Sequence, residues 1–410
     1  MRTILYNIGQ LVVVPPGPVR GVAMNAVERV EDAVVIIEDE SIAWFGAKGN
    51  APKTACEEAI DVHGRCVVPG LIDCHTHAVY AGDRADEFTL RTKGATYEQI
   101  MQAGGGIRSS MRAVRGANED QLRSESQTRL KRMVSCGTTT VEIKSGYGLS
   151  PDAELKMLRV ARELAEKTQI DVSTTYLGAH AVPPEFEGRA DEYIAAMSDD
   201  GLLTTIRDGS LAEFADVFCE RGAFSVEQSR RFLEACKRFG MTPKMHAEQL
   251  SHSGATRMAV ELGAASVDHL EHVSDDDIGA LAKSETIPVL LPGCNLFIGG
   301  QPAPARKMIN ANLPVALATD HNPGSCTIES LGVITSLACT MLKMTPMEAL
   351  VACTANAAAA LRRSRVVGAI EVGYQADLLV LDIPRFELWP YRVGVNPVRD
   401  VIKRGRPIYR

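Results

Sequence analysis

The chain has 410 residues, 45% of them hydrophobic and 23% charged, with a net charge of −7, so it can bury a large core and is neither disordered nor fibrous. Acidic and basic residues are interspersed without a basic stripe, which argues against nucleic acid as a partner, and no apolar run reaches membrane-spanning length. The ten cysteines are scattered with no CxxC pair, as expected of reduced, mostly buried thiols in the cytoplasm and not of a disulfide framework or a cysteine zinc site.

In chain order, the first stretches are ILYNIGQLVVV (4–14), AVVIIEDESIAWFG (33–46) and EAIDVHGRCVV (58–68). They are short β-branched runs separated by Gly, Asp and Asn turns, which predicts small antiparallel sheets. The 4–14 run lacks a small-residue cleavage site, so secretion is not expected. Strand and helix then alternate. Strands are expected at CVVPGLID (66–73), TTTVEIKS (138–145), IDVSTTYLG (170–178), FADVFCE (214–220), TPKMHAE (242–248), ASVDHLE (265–271), IPVLLPG (287–293) and LPVALATD (313–320). Eight strands close a parallel (β/α)8 TIM barrel, which alone uses about 250 residues. Among the helices, 150–167 has Ser150 as N-cap and Pro151 at its first position, with Leu155, Leu158 and Leu164 on one face. The helix in 225–240 starts on Ser225 and ends at Gly240, the usual left-handed cap; 254–263 and 274–283 read alike, and the Ala run at 357–360 falls in a helix. The glycines at 104–106 predict a mobile loop near the barrel mouth and not a phosphate cradle, since no strand precedes them. Finally VGAIEVGYQADLLVLDI (367–383) and VRDVIKRGRPIY (398–409) return to the β style of the first sixty residues. Neither end has enough strands to cover its own apolar face. Residues 1–65 and 365–410 are therefore expected to form one small β-sandwich-like domain, interrupted by a barrel over 66–364.

In such barrels the chemistry sits at the C-terminal strand ends, while buried strand interiors are expected to be apolar. The strand ends here carry His75 and His77, Lys144 with Tyr147, then His180, His246, His269 and Asp320, so five of the nine histidines converge. An HxH pair places both imidazoles on one face of the sheet, where they can share a cation. With His246 and Asp320 they make a His3Asp set that suits one Zn²⁺ or iron ion and leaves a position for water. Such an ion lowers the pKa of water from 15.7 towards roughly 7, and Asp320 is placed to take the proton and return it to a leaving nitrogen. Lys144 is expected to pair with a carboxylate such as Glu142 or to face solvent; a carboxylated lysine bridging two metals is the disfavoured reading. His63, His252 and His272 have no such placement and are expected at the surface or in structural roles.

The order PGLIDCHTH, a His on strand five, a His on strand six and an Asp on strand eight resembles the amidohydrolase superfamily. VEIKSGYGLS, LGAHAVPPEF, HAEQLS, DHLEH, LLPG and ATDHNPGS, in this order, are similar to the imidazolonepropionase family of histidine degradation, over nearly the whole chain. That resemblance implies hydrolysis of 4-imidazolone-5-propanoate to N-formimidoyl-L-glutamate by a homodimer with one metal ion, Zn²⁺ or Fe²⁺/Fe³⁺, per subunit. It assigns the metal to His75, His77, His246 and Asp320, and substrate contacts to Arg84, Tyr147, His180, Asn322, Gly324 and Ser325. His269 would polarise the carbonyl or assist the attack. Arg84 and free backbone N–H groups of the Asn-Pro-Gly-Ser turn suit a propanoate tail, and His180 with Tyr147 a hydrogen-bonding wall for the ring. Gln249 stands where some members carry Glu; it can bind the ring at the reaction centre but cannot act as a base. Glu248 beside it keeps a ring deaminase of the same fold as the rival function. A catalytically dead scaffold, the third reading, predicts lost ligands, whereas all four are present. His321 is expected either to support the site or to point away.

Overall fold

A computed structural model describes residues 1–95, 99 and 105–410. The chain opens with β1 (Arg2–Val13), β2 (Glu28–Glu38), β3 (Ser41–Ala47), β4 (Glu58–Asp61) and β5 (Cys66–Pro69). The barrel follows with β6 (Leu71–Asp73), β7 (Thr138–Lys144), β8 (Asp171–Ala179), β9 (Phe214–Cys219), β10 (Thr242–Ala247), β11 (Ser266–His269), β12 (Ile287–Leu290) and β13 (Ala316–Leu317). The chain ends on β14 (Leu378–Leu381), β15 (Val398–Lys403) and β16 (Arg406–Tyr409).

Strands β6 to β13 pair in parallel in sequence order. The ring closes where Thr76 bridges His321 and the His77 N–H reaches the His321 carbonyl at 2.8 Å. The expected barrel is thus present, with two corrections. The 66–73 run is not one strand: it breaks at Gly70, where a Cβ would lie 2.4 Å from Thr139 Oγ1. Its first half, β5, pairs instead with β1 and β14 outside the barrel. The eighth strand is short, because 313–320 contributes only Ala316–Leu317 to the ladder.

The two chain ends share one sheet of order β16-β15-β14-β5-β1-β2-β3, with β4 on β1. Its apolar face gathers Leu5, Ile8, Leu11, Val35, Ile37, Val67, Leu378, Val380 and Ile402 into a core of their own. Neither terminus could bury these side chains alone, since β5 and β14 pair only across the intervening barrel sequence. The anticipated helices form at Pro151–Lys167, Val226–Arg238, Ala255–Leu262, Asp275–Leu281 and Ala355–Ala360. Ser225 and Gln228 make a reciprocal capping box, and Gly240 is left-handed at φ +89°. Ser150 occupies its cap position without a side-chain hydrogen bond. Gly106 precedes the helix Ile107–Gly116; Gly104 lies outside the described residues.

The expectation of apolar strand interiors fails in an informative way. Along β7, Val141 and Ile143 pack outward on Leu122, Leu130 and Met157 of the surrounding helices. The alternating Glu142 and Lys144 therefore point into the barrel, both fully buried. Lys244, Asp216 and Asp268 join them, also without exposure.

Candidate active site

The closure between the first and eighth strands sets the site. The Asp320 N–H donates to the His75 carbonyl at 3.1 Å, so both histidines after β6 stand beside the carboxylate after β13. Asp320 Oδ1 lies 3.5 Å from His75 Nε2 and 3.6 Å from His77 Nε2. β10 delivers His246, whose ring centroid is 4.5 Å from that of His75 and 5.5 Å from that of His77. All four side chains are buried. Asp320 also takes a left-handed backbone at φ +54°, uncommon for a residue with a Cβ, and the surrounding structure must hold it there.

Two carboxylates that the sequence reading missed orient the rings. His75 Nδ1 meets Asp268 Oδ2 at 2.6 Å, and His246 Nδ1 meets Asp216 Oδ1 at 3.1 Å. Each carboxylate accepts the Nδ1–H, which leaves Nε2 of both rings as a lone-pair donor. Both Nε2 atoms are buried with no hydrogen-bond partner, which is costly unless a cation takes them. Burial, with Lys144 and neighbouring imidazoles, holds His75 well below the usual imidazole range, and burial with His180 and His246 does so for His77. Both rings are neutral, the state in which an imidazole can accept a cation. Burial lifts Asp320 above the ordinary carboxylate value despite the opposing pull of His269 and His246. The donor set fits a divalent ion.

Around it the other expected residues assemble. His269, at a left-handed φ of +84°, has its ring 5.4 Å from that of His246. Burial works against its protonation, but Glu271 at 3.5 Å outweighs this and raises it above the ordinary value. Tyr147 is buried, with its ring 5.7 Å from that of His77. His180 stacks on His77 at 5.3 Å and donates Nδ1–H to the Gly146 carbonyl at 2.9 Å; burial pulls its pKa down to about 3. Arg84 donates Nε–H to Glu87 at 2.8 Å and lays its guanidinium on Gly324, where a Cβ would come within 2.0 Å of Nη1. Gln249 Nε2 lies 3.6 Å from Cys294 Sγ, and that thiol belongs with His269 and Asp320 to one close group.

Several expectations need correction. The N–H groups of Gly324 and Ser325 are not free for a ligand: both donate to Asn322 Oδ1, at 2.8 and 2.7 Å. Asn322 Nδ2 in turn donates to the Asp320 carbonyl at 2.7 Å, so this side chain shapes the turn from within. Glu248 faces away, accepting the N–H groups of Ser253 and Thr256 at 2.6 and 3.2 Å around the start of the helix Ala255–Leu262. Of its two readings, Lys144 takes the carboxylate one, with Glu142 at 3.1 Å but with Asp216 closer, at 2.7 Å. His321 points away, towards Tyr80 at 3.4 Å and Glu329 at 3.9 Å, and burial pulls its pKa down to about 4. His63 and His252 are exposed beside Asp61 and Asp277, as structural histidines. The signal for the two missed carboxylates was period-2 alternation: Asp216 and Asp268, like the expected Glu142, each fall on the inward parity of a strand that carries a polar residue at its end.

Residues 66–408 match the Amidohydrolase family. An imidazolonepropionase of Rubrobacter xylanophilus is 46% identical over 394 residues, covering 95% of this chain and 94% of its own. Another, from Geobacillus kaustophilus, is also 46% identical, with 95% and 91% covered. The chain belongs to the imidazolonepropionase family of amidohydrolases. Amidohydrolases are metal-dependent, and the groups His75–His77–Asp320 and His75–His246–His269 are candidates for the cation site. Among solved structures, an adenosine deaminase from Xanthomonas campestris with bound zinc aligns with a TM-score of 0.72 at 17% identity, covering 99% of this chain and 92% of that one. The guanine deaminase of E. coli gives 0.72 at 14%, with 100% and 99% covered. At such identity these two share the amidohydrolase fold and carry no information on the substrate. Among the described residues no helix is long and apolar enough to cross a membrane.

Proposed function

We propose that this imidazolonepropionase family member opens the ring amide of 4-imidazolone-5-propanoate, giving N-formimidoyl-L-glutamate, with one divalent ion, zinc or iron, held by His75, His77, His246 and Asp320. The observation that carries the reading is the pair of buried, partnerless Nε2 atoms on His75 and His246, with the Asp320 carboxylate 3.5 Å from the first of them and 3.6 Å from His77 Nε2. When bound, such an ion supplies Lewis acidity that makes hydroxide available near neutral pH. Asp320 takes a proton from the attacking water and passes it to the ring nitrogen as the C–N bond breaks. His269, kept proton-rich by Glu271, donates to the carbonyl oxygen on which negative charge develops. Arg84 pairs with the propanoate carboxylate at the rim, its guanidinium lying on Gly324, in a turn that Asn322 holds through the Gly324 and Ser325 N–H groups. Tyr147, His180 and Gln249 line the ring.

The ten cysteines, all free thiols, support a reducing cytoplasm as the place of action, and the resemblance of the motifs supports a homodimer. The deciding assay follows loss of the imidazolone absorbance alongside ammonia release. Ring opening without ammonia is expected. Ammonia release with an intact ring would instead establish the deaminase, a reading that the outward-turned Glu248 disfavours.

A further inference from the structure

Beneath the four candidate ligands lies an ionic column that the chemistry above does not use. The Lys144 ammonium sits 2.7 Å from Asp216 Oδ2, 3.1 Å from Glu142 Oε1 and 3.6 Å from Asp268 Oδ2. Glu142 is held from its other oxygen by Lys244 at 2.7 Å. All five side chains have no solvent exposure. Asp216 and Asp268 are the carboxylates that turn His246 and His75, so one ammonium stands between both orienting groups. Asp216 has extra support from the Val217 N–H at 2.7 Å. Asp268 has less: its Oδ1 is buried without a partner, and its Oδ2 is shared between His75 and Lys144.

We propose that Lys144 is a positioning residue for the cation site, its ammonium holding Asp216 and Asp268 where each fixes one liganding imidazole with Nε2 turned to the ion. The argument is electrostatic and geometric. Two carboxylates drawn this close in a dry barrel repel each other, and only a cation between them makes the arrangement stable. Without it they swing apart and release the Nδ1–H groups they accept, and the rings lose both tautomer and direction. The assignment rests on the cation-dependent reading of the site.

The sign of one measurement separates this role from mere charge balance. An ammonium near a dication repels it, so if Lys144 acted on the ion only through its charge, its removal would tighten binding; if it positions the ligands, removal weakens binding. The full-length apoprotein is titrated with Zn²⁺ against a chromophoric chelator, and the histidine tautomers are read by ¹⁵N NMR. For Lys144→Met the expected result is a Kd for Zn²⁺ raised about 10- to 100-fold and loss of the pure Nδ1–H signature of two buried rings. Lys403→Met is the control, since Lys403 is also a buried lysine between two carboxylates, Asp171 and Asp377, both at 2.7 Å, but in the sheet of the chain ends. It should lower Tm and leave the Kd within about twofold. If Lys144→Met does not fold, the Glu142→Gln/Lys144→Met pair, which removes one charge of each sign, should show the same weakening. Equal or tighter Zn²⁺ binding with unchanged tautomers overturns the proposal while leaving the cation site standing. Failure of the wild-type protein to take up any divalent ion overturns the site itself.

Discussion

Substituting Gly324 by alanine tests whether Arg84 anchors the substrate. The added Cβ would lie 2.0 Å from Arg84 Nη1, 2.8 Å from Cζ and 3.3 Å from Nη2, with no backbone atom among its three nearest neighbours. Ordinary non-bonded separations are about 3.5–4.0 Å, so the guanidinium must retreat by about 1.5 Å. Gly324 is absent from the left-handed glycines, so alanine is conformationally acceptable, and the clash falls on the far end of a flexible side chain. The fold should not suffer, and Tm should stay within about 2 °C of the wild type. Substrate binding should suffer. A hydrogen bond to a charged group contributes about 1.5–3 kcal/mol, and each 1.4 kcal/mol is tenfold. kcat/KM is therefore expected to fall about 10- to 150-fold, mainly through KM. Steady-state kinetics on the imidazolone absorbance, beside differential scanning fluorimetry, measures both. Arg84→Met should raise KM similarly, and in that background Gly324→Ala should add almost nothing, because both act through one contact. An unchanged KM, or additive losses in the double variant, would refute the anchoring role.

Asp320→Asn keeps an oxygen ligand but loses the proton acceptor, so turnover should drop about 10²- to 10⁴-fold with metal still detectable by mass spectrometry; near-normal turnover contradicts the assignment. Lys403→Met takes the buried cation from Asp377, which is 4% exposed, while Asp171 keeps Arg404 at 2.6 Å; it should cost about 3–5 kcal/mol, read as a lower midpoint in urea. Glu348 gives a pH test. Burial pushes its carboxyl up, but hydrogen bonds from Arg306 and the Thr345 N–H outweigh this and hold it below the ordinary 4.5. Its stabilising effect is therefore complete above that value and lost as pH falls through the lowered one. Glu348→Gln should be less stable than the wild type at pH 7, with the gap closing in acid; a gap independent of pH would exclude the ion pair as its source.

Much of this architecture is written in local pattern. Alternating β-branched runs at both ends and eight strand–helix repeats between them announce a barrel and a shared outer sheet, because each pattern has only one period that buries its apolar residues. The HxH pair was legible from its spacing of two, although both histidines lie just beyond β6 and only Thr76 between them is bridged, to His321. The break at Gly70 was not legible, since CVVPGLID is uniformly apolar; whether a residue pairs in one sheet or another depends on partners more than three hundred positions away, such as Leu378 opposite Pro69.

The polar partners illustrate the same divide. The amino-acid order alone fixed which residue types stand at the strand ends, and with them the kind of ion and chemistry they can support, because ligand identity is a property of side chains. Direction was settled only by the folded chain. Asn322 turns inward to hold its own loop, Glu248 turns outward before a helix, and Asp216, Asp268 and Lys144 meet under the histidines because the barrel closes on itself. Such contacts join groups remote in sequence, and only three-dimensional proximity in a dry interior makes their charges matter to one another.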